Sequence, residues 1–94
     1  YETCLCYELS KIEINYEKQK GLPIIYKDVT LDCGYRIDIL VENKIVIELK
    51  TVEKLLPIHT AQIMTYLKLS NKHLGLLFNF YNANLQNGIK RYVL

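Results

Sequence analysis

Two short runs of alternating aliphatic residues lie almost back to back. They are Arg36-Ile37-Asp38-Ile39-Leu40-Val41 and Ile45-Val46-Ile47-Glu48-Leu49-Lys50, separated only by Glu42-Asn43-Lys44. Successive side chains of a strand point to opposite faces. Ile37, Ile39 and Val41 therefore share one side of the first run, and Ile45, Ile47 and Leu49 one side of the second. Bringing both rows onto one buried side requires a hairpin with the pairs Val41/Ile45, Ile39/Ile47 and Ile37/Leu49. A slip of one residue would turn one row out to water, so the register is strongly specified. It sets Asp38 opposite Glu48 on the other face, with Lys50 beside them. Facing carboxylates repel unless one is protonated or a cation joins them. A divalent metal held by oxygen ligands removes that repulsion. The pattern thus predicts a metal site, and the acid-x-Lys arrangement beside it points to hydrolysis. The competing account makes Asp38 and Glu48 solvated residues of an exposed sheet face, with Lys50 and Arg36 as ion-pair partners. Spacing alone leaves both open.

The 94 residues suit one small domain covering 1–94. Half of them are hydrophobic and 23% charged, which places the chain among globular proteins and excludes a disordered one. No apolar run approaches the roughly 20 residues needed to span a bilayer, and there is no secretory signal, so no membrane association is expected. A formal net charge of +2 permits nucleic-acid binding without arguing for it. Cys4, Cys6 and Cys33 are odd in number and match no zinc or disulfide spacing, so they read as reduced, small apolar residues of an intracellular, cytoplasmic protein. The eight tyrosines, against two phenylalanines, read as partly buried surface rings. Tyr1 falls inside what reads as an amphipathic helix, so native residues are expected to precede it.

Leu5, Leu9 and Ile12 recur at helical spacing and predict a first helix over about thirteen residues, with Glu2, Glu8, Lys11 and Glu13 on its polar side. Ile14 to Gln19 alternates as a short strand, and Gly21 and Pro23 interrupt the chain. Ile24-Ile25-Tyr26 is a further short strand before a turn at Lys27-Asp28. A long strand is expected from about Leu31 to Val41, and its return over Ile45 to Lys50. Pro57 opens a second helix over about 57–70, for which Asn71 is the terminator. Leu74 to Phe80 carries no charge and reads as a central strand covered on both faces. A polar stretch with Asn82, Asn84, Asn87 and Gly88 leads to a last strand, Ile89 to Val93. The order predicts an α/β fold: helices on a central mixed sheet.

Two carboxylates on neighbouring strands suit one Mg²⁺, with waters and phosphate oxygens completing its shell. The Leu49 carbonyl is a further candidate ligand. Lys50 projects from the same face as Glu48, where it can steady charge on a phosphoryl group. On the second helix His59, Gln62 and Tyr66 recur at three- and four-residue spacing and share a face distinct from the Ile63/Leu67 stripe. Gln62 can donate and accept, and Tyr66 can donate to a phosphate or stack on a base. His59 can contact phosphate or carry a proton. A polar helix edge with a half-buried tyrosine is the plainer account of the three.

Asp38, followed after nine residues by Glu48-Leu49-Lys50, resembles the D…ExK motif of the PD-(D/E)XK nuclease superfamily. Gln62-Ile63-Met64-Thr65-Tyr66 is similar to the QxxxY motif of its RecB-like branch. A closer resemblance is to the GxxExxR proteins, through Gly34 to Asp38, Val46 to Lys50, His59 to Gln62, Thr65 to Leu67, Gly75 to Phe80 and Gly88 to Arg91. The resemblance implies a restriction-endonuclease-like core. It also implies Mg²⁺- or Mn²⁺-dependent phosphodiester cleavage, with Asp38 and Glu48 as ligands, Lys50 as catalytic lysine, and Gln62 and Tyr66 supporting the site or DNA. Members often place another acid on the first helix, for which Glu8 is the candidate, with Glu2 behind it. Position 37 carries Ile where the motif's name has Pro.

The leading expectation is a Mg²⁺-dependent domain hydrolysing DNA. The alternative is a non-catalytic nucleic-acid-binding or assembly module on the same fold, working as a homodimer or in a larger complex. An enzyme acting on nucleotides or another phosphoester would use the same groups.

Overall fold

The hairpin demanded by the alternating rows forms, and it is the centre of the molecule. The computed structural model describes residues 1–31, 34–81 and 88–94. Along the chain run α1 (Glu2–Lys11), β1 (Tyr16–Gly21), β2 (Ile24–Tyr26), β3 (Val29–Leu31), β4 (Arg36–Val41), β5 (Ile45–Lys50), α2 (Pro57–Ser70), β6 (Leu74–Asn79) and β7 (Ile89–Val93). Strands β4 and β5 pair antiparallel through Val41/Ile45 and Ile39/Ile47, as the aliphatic rows predict. The reversal is tight. Glu42 and Asn43 both take positive φ, 52° and 55°, and Lys44 N–H returns to the Val41 carbonyl at 2.9 Å, the pattern of a primed hairpin turn. The third expected rung, Ile37/Leu49, is not made. Instead the Asp38 side chain takes the Leu49 N–H at 2.8 Å.

Five strands form one mixed sheet in the order β1-β4-β5-β6-β7. Only β5 and β6 run parallel, through the α2 crossover, with Lys50 opposite Asn79. The sheet is covered on both faces, not one. Ile39, Val41 and Ile47 join Cys6, Leu5 and Leu9 on the α1 side. Leu40, Val46 and Leu77 join Ile63 and Leu67 on the α2 side. Ile37, expected in the same row as Ile39, belongs to the α2-side cluster instead, next to Leu22. The Asp38–Leu49 bond marks the place where the simple alternation ends. Several of these chains, among them Ile39, Val46, Ile63 and Leu77, have no exposed surface at all. Burying each such side chain contributes about 1.5–3 kcal/mol. Filling both faces explains why no strand of the centre shows a polar, solvent-facing row.

Two strand boundaries differ from the expectation. The first strand starts at Tyr16 and runs to Gly21, because it follows β4 from Val41 back to Arg36. The long strand expected from Leu31 does not exist as one piece. Leu31 pairs with Ile24 in a separate two-stranded ribbon of β2 and β3, and β4 begins only at Arg36. Gly34 lies between them at φ +77°, a left-handed conformation that strand backbone does not adopt. Cys33 and the asparagines 82, 84 and 87 lie outside the described residues. The ends of α2 follow the sequence: Pro57 occupies the first turn, and Asn71 closes the helix in the left-handed region at φ 56°. Among the described residues no helix is long and apolar enough to cross a membrane.

Candidate active site at the ends of the parallel strands

Ligands of sheets with parallel strands bind beyond the strands' carboxyl ends, where the chain leaves the sheet. Here that edge is the end of β5 and β6, and it carries Glu48, Leu49, Lys50 and Asn79. Glu48 is not a solvated residue. It is 3% exposed, and its Oε1 is buried with no hydrogen-bond partner. Burial, and then the charge of Asp38, push its carboxyl up to about 7, while Lys50 and the Asp38 backbone pull the other way. The two acids thus act on one another across the hairpin. Asp38 spends one oxygen, Oδ2, on the Leu49 N–H. The Lys50 carbonyl points toward β6, where it accepts the Phe80 N–H at 2.8 Å. Backbone groups alternate along a strand, so the Leu49 carbonyl points the other way, toward β4 and past the last rung.

An orphaned carboxylate oxygen in the interior is costly unless a ligand satisfies it. Two carboxylates and a carbonyl supply hard oxygen donors of the kind that Mg²⁺ takes alongside waters and phosphates. The donor set therefore fits a hard divalent cation. Among the described residues no three of His, Cys, Asp and Glu gather.

Lys50 Nζ donates to Gln62 Oε1 at 2.6 Å, and Gln62 Nε2 donates to the Tyr66 hydroxyl at 3.1 Å. Lysine has only donors, so the Gln62 oxygen must face it and the amide nitrogen must face Tyr66. The chain Lys50–Gln62–Tyr66 is thus oriented end to end. Tyr66 is 7% exposed and shares the α2-side core with Ile63 and Leu67, so the polar face and the apolar stripe adjoin. His59 stands apart from this chain. Its Nδ1 accepts the Leu56 N–H at 2.9 Å and caps the start of α2.

A cavity of about 250 Å³ opens over Asp38 and Lys50, bounded by Tyr1, Glu2 and Phe80. The acid that α1 brings here is Glu2. Glu8, one side of the helix further on, lines a different hollow with Cys4 and Phe78. Glu2 is held by Gln19 Nε2 at 2.6 Å. Two features escaped the sequence reading. Tyr1 stacks flat on Phe80, with ring centroids 4.3 Å apart and planes 3° from parallel. Asn79, 4% exposed, accepts the Val52 and Tyr81 N–H groups and donates to the Val52 carbonyl, pinning the chain just after Lys50. A polar residue ending an otherwise apolar strand was the available signal, since buried amides must find partners.

A five-stranded mixed sheet flanked by two helices, with its acids and lysine at one strand end, is a restriction-endonuclease-like architecture. The chain belongs to the PD-(D/E)XK nuclease superfamily, which it matches over residues 1–92. Nucleases of this superfamily generally use divalent metals, and membership implies a nucleic-acid partner. No curated protein and no solved structure matches the chain.

Proposed function

We propose that the protein is a Mg²⁺-dependent nuclease that hydrolyses DNA phosphodiester bonds, built as one domain over residues 1–94. The observation that carries this reading is the buried, unpartnered oxygen of Glu48 beside Asp38 and Lys50. Asp38, Glu48 and the Leu49 carbonyl would hold Mg²⁺ or Mn²⁺. A divalent cation bound there supplies Lewis acidity, lowering the pKa of water and offsetting charge on the phosphoryl group. The chain's own groups do the rest. Lys50 keeps donors free after its bond to Gln62 and places positive charge where negative charge develops on a phosphoryl oxygen. Gln62, itself fixed by Tyr66, sets the direction of that ammonium group. Burial of Glu48 keeps bulk water from screening these charges. Glu2, which lines this cavity, would be the acid that α1 contributes, in place of Glu8. Within the superfamily, the D…ExK spacing with Gln62 and Tyr66 fits the RecB-like QxxxY pattern, and the ordered stretches fit the GxxExxR proteins. Cys4 and Cys6, both free thiols, suit a reducing cytoplasm.

The test is cleavage of plasmid and single-stranded DNA with Mg²⁺ or Mn²⁺. We expect activity that chelation abolishes and that Glu48→Ala or Lys50→Ala lowers by roughly 10²–10³, the loss typical of removing one charge-stabilising group. Absence of cleavage by the protein, or undiminished cleavage by Glu48→Ala, ends this reading.

A further inference from the structure

A second cleft lies away from the acidic edge. It has a volume of about 470 Å³ and lies along the outer side of α2, bounded by Tyr35, Ile58, His59, Ala61, Gln62 and Tyr66. Its size falls in the roughly 300–1,000 Å³ range of small-molecule sites. Among the described residues no carboxylate lines it. Its walls are largely apolar, and two of them are exposed without a structural reason. Ile58 is 70% exposed in the first turn of α2, and the Tyr35 ring is 38% exposed just before β4. Tyr35 rests against Tyr66 at 6.0 Å between centroids and 58° between planes, so an edge-tilted contact holds the ring while one side stays open.

The polar atoms of the cleft are committed in a way that leaves donors. Gln62 gives its N–H to the Tyr66 oxygen, so the Tyr66 proton remains for a ligand. His59 uses Nδ1 as an acceptor for Leu56 N–H, so a neutral imidazole carries its proton on Nε2. A flat, apolar slot with a ring wall and two donors suits a flat ligand with acceptors on its edge. Among the described residues no cation lines the slot to favour a phosphate. The cleft also adjoins the proposed catalytic row directly, because Gln62 belongs to both.

We infer that this cleft is a subsite for one unstacked nucleobase of a single-stranded or splayed nucleic-acid substrate. The base stacks on the Tyr35 ring, packs on Ile58 and accepts hydrogen bonds from His59 and Tyr66. A base inside a duplex is stacked on both faces and cannot enter, so the subsite favours unpaired ends or single strands. Stacking on a ring tolerates any base, so little sequence preference is expected. The inference rests on the nucleic-acid side of the proposed function and is independent of cleavage.

Fluorescence anisotropy in EDTA tests it without catalysis. The probes are a labelled thymidine oligonucleotide, an abasic strand of equal length and a blunt duplex. The wild-type protein should bind the thymidine strand more tightly than either of the others. Tyr35→Ala should weaken thymidine binding about 5- to 150-fold and barely change abasic binding, while Tyr35→Phe retains the preference. Ile58→Ser, a neutral change at a side chain too exposed to threaten folding, should weaken the thymidine strand in the same selective way. Equal binding of the thymidine and abasic strands, a preference for blunt duplex, or no selective loss in Tyr35→Ala and Ile58→Ser overturns the inference. Glu48→Ala separates the two proposals: it should keep the base preference while losing cleavage. A wild-type protein that never cleaves but still discriminates the thymidine strand refutes the nuclease and leaves the subsite standing.

Discussion

Burial sets the chemistry of Glu48 before any ligand arrives. Its carboxyl is pushed from the ordinary 4.5 to about 7, first by desolvation and then by Asp38. The folded chain therefore holds a proton between those two values that the unfolded chain has already released. Stability falls with rising pH wherever the native state binds more protons. The protonated form's contribution is complete below 4.5 and is lost as pH climbs through about 7. The full difference is on the order of 3 kcal/mol. Thermal melts of the metal-free protein should show a falling midpoint from pH 5 to pH 8. Glu48→Gln should flatten that slope and melt higher than wild type at pH 8, and added Mg²⁺ should raise the wild-type midpoint most at high pH, where it meets no proton. A flat wild-type profile, or the same slope in Glu48→Gln, would contradict the assignment. Strand alternation alone made the nearness of Asp38 and Glu48 legible, although the paired rungs stop at Ile39/Ile47. The orphaned oxygen was not legible, because it depends on how completely α2 closes over the sheet. Tyr35 and Asn79 lie outside any periodic pattern, and their partners are distant in sequence.

The seat of α2 on the sheet decides whether Lys50 meets Gln62. That seat is close because β6 offers Gly75 beneath the helix. A Cβ there would lie 3.0 Å from Ile63 Cδ1 and 3.3 Å from Leu67 Cδ1. Both side chains are fully buried and have nowhere to turn. Gly75→Ala should therefore lift the helix, destabilise the protein by about 1–3 kcal/mol and weaken the Lys50–Gln62 bond. Ile63→Val removes the nearest atom. It should cost about 0.5–1.5 kcal/mol alone. Combined with Gly75→Ala it should leave the double variant more stable than the two single losses add up to. Denaturant midpoints of the four proteins measure this coupling, and simple additivity would mean that the contact is not the constraint. The helix itself was plain in the sequence, since Pro57 and Asn71 mark its ends. The strand expected from Leu31 to Val41 was not, because apolar alternation continues across a break that Gly34 makes in the backbone.

At the scale of the molecule, the element order gave the fold class, but the strand order came from contacts that no local pattern records. β1 crosses to pair with β4, and β5 finds β6 only after the whole of α2. Charge is the property of the whole chain that bears most on its partner. Twelve Lys and Arg stand against ten Asp and Glu. Under the proposed function two of the acids, Asp38 and Glu48, stand where a phosphate would approach, and a bound cation would offset them. On that reading a single copy of this chain neutralises few phosphates at once, and the proposed stacking in the Tyr35 cleft would supply part of the affinity. Each phosphate contact to a single strand adds about 0.7 to the negative slope of log K against log salt. For the monomer we expect a slope between about −1.4 and −2.1, from two or three contacts. Titrations of the thymidine oligonucleotide across a series of salt concentrations, with the oligomeric state measured in parallel, give this number. A slope steeper than about −4 would mean about six contacts, twice the number expected of one chain here. It would move the working unit to a homodimer or a larger assembly, in which strand edges or the apolar surface around Tyr7 and Ile12 hold the copies together.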